Sequence, residues 1–166
     1  MHKSSVINHI VNFTSQRDKD LLIMSFLKSI KGMIQTSNIS ILFLNNKDIP
    51  ILSVSYNNNS CVKQDDNLII EDEIMKSISH MNNHDLDEYF FKKTKVNQYI
   101  RTIENNRKGS QYVLIELTDK PTKSQSYILD GILAIYRNFT ELLAESQTDE
   151  LTGLANRKTF DSSMNH

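Results

Sequence analysis

The chain has 166 residues, room for one domain with a true hydrophobic core and little more. At 39% apolar and 23% charged residues its makeup is that of a globular protein, and a formal charge of -1 lacks the basic excess of a nucleic-acid binder. No apolar run approaches the roughly 18 residues of a membrane span, the N-terminal stretch lacks a secretion-signal pattern, and one cysteine, Cys61, excludes an internal disulfide and fits a cytoplasmic location.

Asparagine punctuates the sequence, at Asn45-Asn46, Asn57-Asn58-Asn59, Asn82-Asn83 and Asn105-Asn106. Asparagine tolerates left-handed backbone angles and bonds its own main chain, so each cluster predicts a turn. Between clusters the hydrophobic period changes. Val6, Ile7, Ile10 and Val11 form a short amphipathic stretch, and SQRD at 15–18 reads as a capping box. Ile23, Phe26, Leu27, Ile30, Met33 and Ile34 then fall on one face of a helix over 16–36. NISILFL (38–44) is almost wholly apolar, as a central strand is. PILSVSY (50–56) alternates, with Leu52, Val54 and Tyr56 on one face and the serines on the other. The segment 71–81 predicts a helix with its acids at the N-terminal end. Asn82-Asn83 are expected to end it. Three antiparallel strands follow at 88–94, 98–104 and 111–118, with a hairpin at 105–109 and Val113, Ile115 and Leu117 facing inward. QYIRTIE, the middle strand, also suits a helix.

After Pro121 a helix is expected over 123–147. Ile128, Ile132, Ile135, Phe139 and Leu142 repeat at steps of four and three, which is a heptad seam. Leu129, Leu133, Tyr136 and Leu143 make a second seam beside it. Its length, about 37 Å at 1.5 Å per residue, exceeds what one small sheet covers. The first seam is therefore expected to pair in parallel with the same helix of a second chain, making a homodimer; the alternative is one broad apolar face buried within the monomer. Gly131 costs such a helix about 1 kcal/mol relative to alanine, so it is expected to mark a close contact. The fold class is α+β: an antiparallel sheet of about five strands flanked by helices, with a long C-terminal helix.

The chain closes with TDELTGLANRKTFD at 148–161. DELTGLANRK resembles the opening motif of GGDEF domains, D-x-L-T-G-L-x-N-R-R, through Asp149, Leu151, Thr152, Gly153, Leu154, Asn156 and Arg157, with Lys158 in place of the second arginine. GGDEF domains are the diguanylate cyclases, which join two GTP molecules into cyclic di-GMP. The resemblance spans only about the last 18 residues, and the chain holds no Gly-Gly pair. It therefore implies a fragment without catalytic residues: an N-terminal sensor domain (1–122), a signalling helix (123–147) and the truncated start of a cyclase domain (148–166). Mg and GTP are implied for the intact cyclase only, with Asn156 the residue that would contact guanine. In such enzymes two domains must face each other, so the helix entering them would set the rate by setting their distance and rotation.

Helices before the first strand and a long helix after the last resemble a GAF domain, a frequent neighbour of GGDEF domains. A PAS domain, also five-stranded with an exit helix, is the alternative. The implied function is the sensor and dimerisation region of a diguanylate cyclase. Two alternatives stand beside it, a ligand-free interaction module and a receptor with a degenerate GGDEF domain. A cavity with convergent polar groups would favour a small-molecule ligand, and a solid apolar core would favour the ligand-free module. Candidate ligand residues are few. Cys61 reads as a small apolar residue, and His80 and His84 as solvated side chains separated by a helix end. The acids of 65–67 and 71–73 belong to a loop and a helix start, and Lys92, Lys93 and Lys95 protect a strand edge. No metal site, nucleic-acid partner or membrane partner is expected.

Overall fold

The computed structural model describes the backbone of residues 19–164 and the side chains of residues 19–145. The amphipathic stretch at 6–11 and the capping box at 15–18 lie outside the described residues. The elements run α1 (Lys19–Met33), β1 (Asn38–Asn45), β2 (Pro50–Asn57), β3 (Ser60–Gln64), α2 (Asp72–Asn83), β4 (Glu88–Lys92), β5 (Asn97–Asn106), β6 (Gly109–Leu117) and α3 (Lys123–Met164).

The six strands form one antiparallel sheet in the order β3-β2-β1-β6-β5-β4. β1 sits inside it, and its sequence shows why. Ile39, Ile41 and Phe43 point to one face and Leu42 and Leu44 to the other, and both faces are covered. An apolar run is what a strand buried on both sides requires. On the first face α1 and α3 bury Leu22, Phe26, Ile30, Leu129, Leu133 and Tyr136 against the sheet. The two helices are antiparallel: Lys19 shares a cavity with Tyr136 and Ala144, and Ile34 shares one with Gln125. The rings of Phe26 and Tyr136 stack at 4.2 Å between them. On the second face α2 lays Ile74, Ile78 and Met81 over Leu42, Ile100, Tyr112 and Leu114. Each buried Leu, Ile or Phe contributes about 1.5–3 kcal/mol by leaving water.

The sheet has six strands where about five were expected. β3 is the added one. It is a short edge strand, SCVKQ, almost wholly exposed, so no hydrophobic alternation marks it. Its signal was the asparagine run: Asn57 pairs with Ser60, and Asn58 and Asn59 turn the chain between them with φ of 48° and 63°. A two-residue hairpin turn of type I′ has positive φ at both central positions, which asparagine tolerates. The β5–β6 hairpin is tighter than expected, because Asn106 pairs directly with Gly109. A Cβ on Gly109, whose φ is 151°, would lie 2.3 Å from the Leu44 carbonyl oxygen, so β6 can lie this close to β1 only with glycine there.

α2 also differs from expectation. It continues through Asn82-Asn83 and is capped by His84. The left-handed residue that ends it is Asp85, with φ 54°. The Leu86 N–H then donates to the Met81 carbonyl and the His84 N–H to the His80 carbonyl, closing the last turn. The Asn82 side chain serves the sheet instead, accepting from the Tyr112 hydroxyl at 3.1 Å and from the Asn105 amide at 3.3 Å. The α3 backbone stays helical past 147 to Met164, through the DELTGLANRK segment; the side chains there, Asn156 included, lie outside the described residues. Among the described residues no helix is long and apolar enough to cross a membrane.

Candidate functional site

At one end of the sheet the β5–β6 hairpin meets α1 and the middle of α3, leaving an open cavity of about 430 Å³. Phe43, Ile51, Leu143 and Ala144 give it apolar walls. Glu104, Gln111, Tyr136, Thr140 and Glu141 bring polar groups to the same space, with Lys19 and Lys108 also lining it. The register of β5 shifts between Thr102 and Glu104, a bulge that re-aims the strand just before the hairpin. The Glu104 carboxylate accepts from the Asn106 amide at 2.9 Å and from the Gln111 amide at 3.4 Å. The Gln111 Oε1 is buried with no hydrogen-bond partner among the described residues. Burial pushes the Tyr136 phenol well above its usual range, and the nearby Glu104 charge pushes it further, so it remains a neutral hydroxyl. Lys19 Nζ lies 5.9 Å from the Phe43 ring centroid. The cavity thus combines an apolar wall with two hydrogen-bond acceptors, a fixed carboxylate and an unsatisfied amide oxygen, a lining suited to an organic molecule that carries donors.

None of these residues was singled out in the sequence as a ligand contact; Tyr136 and Leu143 entered only as members of the second helix seam. One signal was there to read. Gln111 has the strand parity of Val113, Ile115 and Leu117, so a polar side chain occupies an inward position.

Arg101 is the second group of this kind, on β5 between Tyr99 and Ile103, with only 9% of its surface exposed. Its Nη2 donates to Asp130 Oδ1 on α3, and its Nη1 to the Tyr99 hydroxyl at 3.4 Å. The Tyr99 hydroxyl in turn donates to Glu88 on β4. Burial, and then the bond to Glu88, push the Tyr99 phenol up to about 12. This chain of bonds ties the sheet edge to α3 within the first turns of that helix. Arg137, further along, donates to the Ile103 carbonyl at 3.1 Å. A helix held at two points by directed bonds has a defined register on the sheet.

The structure divides the expected dimer seam. Ile132 is 5% exposed and packs in the monomer core with Leu129, Leu133 and Tyr136. Ile135 and Phe139 are half-buried against that core. Ile128 and Leu142 stay exposed, at 36% and 60%, beside Tyr127 at 81%. The second seam is therefore the one that docks on the sheet. The close contact expected at Gly131 is not made within the chain, since a Cβ there would meet nothing within 4 Å.

The other candidates separate clearly. Burial raises the Cys61 thiol, only partly offset by the Lys63 charge, so this half-buried side chain is not a reactive thiolate. Lys93 pairs with Glu71 at 3.0 Å, next to the edge strand β4. Among the described residues no three His, Cys, Asp or Glu side chains converge on one point. His80 and His84, by contrast, are brought together, with ring centroids 4.2 Å apart.

Neither a family model nor a curated protein matches the chain. Among solved structures the chain is similar to the GAF domain from Acinetobacter phosphoenolpyruvate-protein phosphotransferase, with a TM-score of 0.58 over 89% of this chain and 97% of that one, at 8% identity. At that identity the likeness concerns the fold, and the fold of this chain is GAF-like.

Proposed function

We propose that this chain is the sensor and dimerisation region of a diguanylate cyclase, in which a small organic molecule held at the hairpin cavity biases the position of α3. The observation that carries the sensing half is the cavity itself, with its fixed Glu104 carboxylate and the buried, unpartnered Gln111 oxygen. Its walls include Tyr136, Thr140 and Glu141 of α3, so a molecule seated there touches the helix that leads toward DELTGLANRK. A ligand shifts a helix only by preferring one of its positions. The Arg101–Asp130 and Arg137–Ile103 bonds hold α3 in one register on the sheet, the position that a bound molecule would have to favour or displace. The output half rests on the resemblance of the motif, with Asn156 assigned to guanine and Mg and GTP belonging to the intact cyclase. The exposed line of Tyr127, Ile128 and Leu142 supports pairing of two copies along α3.

The apolar core that α2 buries against the sheet favours a second reading, a dimerisation module without a ligand. A chimaera separates the readings. Residues 1–147 are fused to an active GGDEF domain, and cyclic di-GMP formation from Mg and GTP is followed. The proposal expects an active fusion, a loss of activity in Leu142→Glu, and a changed rate in Glu104→Gln when expressed in cells that supply the ligand. Equal rates for all three would refute regulation through this chain. An effect of Leu142→Glu alone would leave the ligand-free module.

A further inference from the structure

The end of α2 holds a feature that the sensor reading does not use. His80 and His84 are one helical turn apart, a spacing that recurs among paired histidine metal ligands. Because Asp85 and not an asparagine ends the helix, the turn between them is intact, and the two rings lie side by side at 4.2 Å with 35° between their planes. Both residues are exposed. His84 Nδ1 lies 3.0 Å from the His80 carbonyl oxygen. A carbonyl only accepts, so Nδ1 carries the hydrogen, and the neutral ring presents its lone pair at Nε2. Fixing one ring nitrogen by a hydrogen bond to orient the other is how metal-ligating histidines are prepared. The backbone beneath is also held, since Met81 is fully buried and Asn82 is bonded to Tyr112 and Asn105. The pair lies at a helix C-terminus, where the backbone dipole favours a cation. It lines a shallow groove that also holds Asp48 and Asp72.

We propose that His80 and His84 form a two-point chelate for a divalent first-row transition ion of the zinc, nickel and copper group, with water completing the coordination. Imidazole nitrogens suit these ions and not magnesium or calcium. Two nitrogens at about 2.0–2.1 Å from one tetrahedral ion sit roughly 3.3 Å apart, which side-by-side rings can reach by small side-chain rotations.

The test is calorimetric titration of the full, untagged chain with Zn²⁺, and separately with Ni²⁺. Three further proteins are titrated: His80→Gln, His84→Gln, and a triple variant His2→Gln/His9→Gln/His166→Gln that removes every other histidine. Far-UV circular dichroism verifies folding, which exposed positions should not disturb. The expected result is one binding step per chain in the parent and in the triple variant, absent from both single variants. No binding by the parent, a step that survives either single substitution, or a step lost in the triple variant would each overturn the proposal.

Discussion

Removing Asp130 is the sharpest perturbation of the contact between sheet and exit helix. Asp130→Asn keeps the shape and deletes the charge facing Arg101. Arg101 is 9% exposed, and its guanidinium donates to Asp130 and to the Tyr99 hydroxyl. Breaking a fully buried ion pair costs about 3–5 kcal/mol, and breaking an exposed one about 0–1 kcal/mol. Here the guanidinium is buried while the Asp130 side chain is 59% exposed, so water can partly replace it. The expected loss is about 1–2 kcal/mol, between those limits. Arg101→Met removes the buried charge and keeps the packed stem, and the double variant should be no less stable than Arg101→Met alone. The coupling between the two sites is then about 1–2 kcal/mol. Urea unfolding followed by circular dichroism measures all four proteins. If the two single effects add within about 0.3 kcal/mol, the pair does not tie α3 to β5 and the reasoning fails.

Other outcomes follow from the same geometry. Gly109→Ala should destabilise by about 3 kcal/mol, combining backbone strain with a clash against the Leu44 carbonyl; a variant with parental stability would mean that the hairpin shifts freely. Ile132→Ala should cost about 2–5 kcal/mol of monomer stability, whereas Leu142→Glu should leave the fold intact and weaken self-association; sedimentation velocity and thermal unfolding distinguish the two. The Tyr99 phenol is raised to about 12, and a group raised above its unfolded value stabilises below that value. Stability should therefore hold up to about pH 10, the unfolded tyrosine value, and fall as pH climbs from there toward 12, with Tyr136 acting in the same direction. Tyr99→Phe should lessen that alkaline loss, and an unchanged pH profile would remove Tyr99 from the account.

The elements with strong periods were legible in the sequence because burial imposes those periods. β1 is apolar on every side since helices cover both faces, and α1 carries its core residues on one stripe. β3 left no such trace, because an exposed edge strand buries too little to constrain its composition. The α2 end was misread because Asn82 fits a turn by type, while its side chain is committed to Tyr112. Of two adjacent seams on α3, periodicity alone says that both are apolar and not which one meets the sheet. That choice depends on Phe26 stacking on Tyr136 and on Arg101 reaching Asp130, contacts between residues far apart in sequence. The cavity was the least legible part. Its polar groups come from a bulge in β5, a single inward glutamine on β6 and the middle of α3, and only the folded register brings them together.

The central claim is that α3 pairs two copies of a domain that holds a small molecule at its hairpin cavity. Native mass spectrometry of the chain, purified from cells without harsh washing, reports oligomer and retained mass in one spectrum. The account predicts a dimer carrying added small-molecule mass, and a Glu104→Gln dimer without it. A bare monomer would contradict it, and a dimer with no added mass would contradict its sensing half.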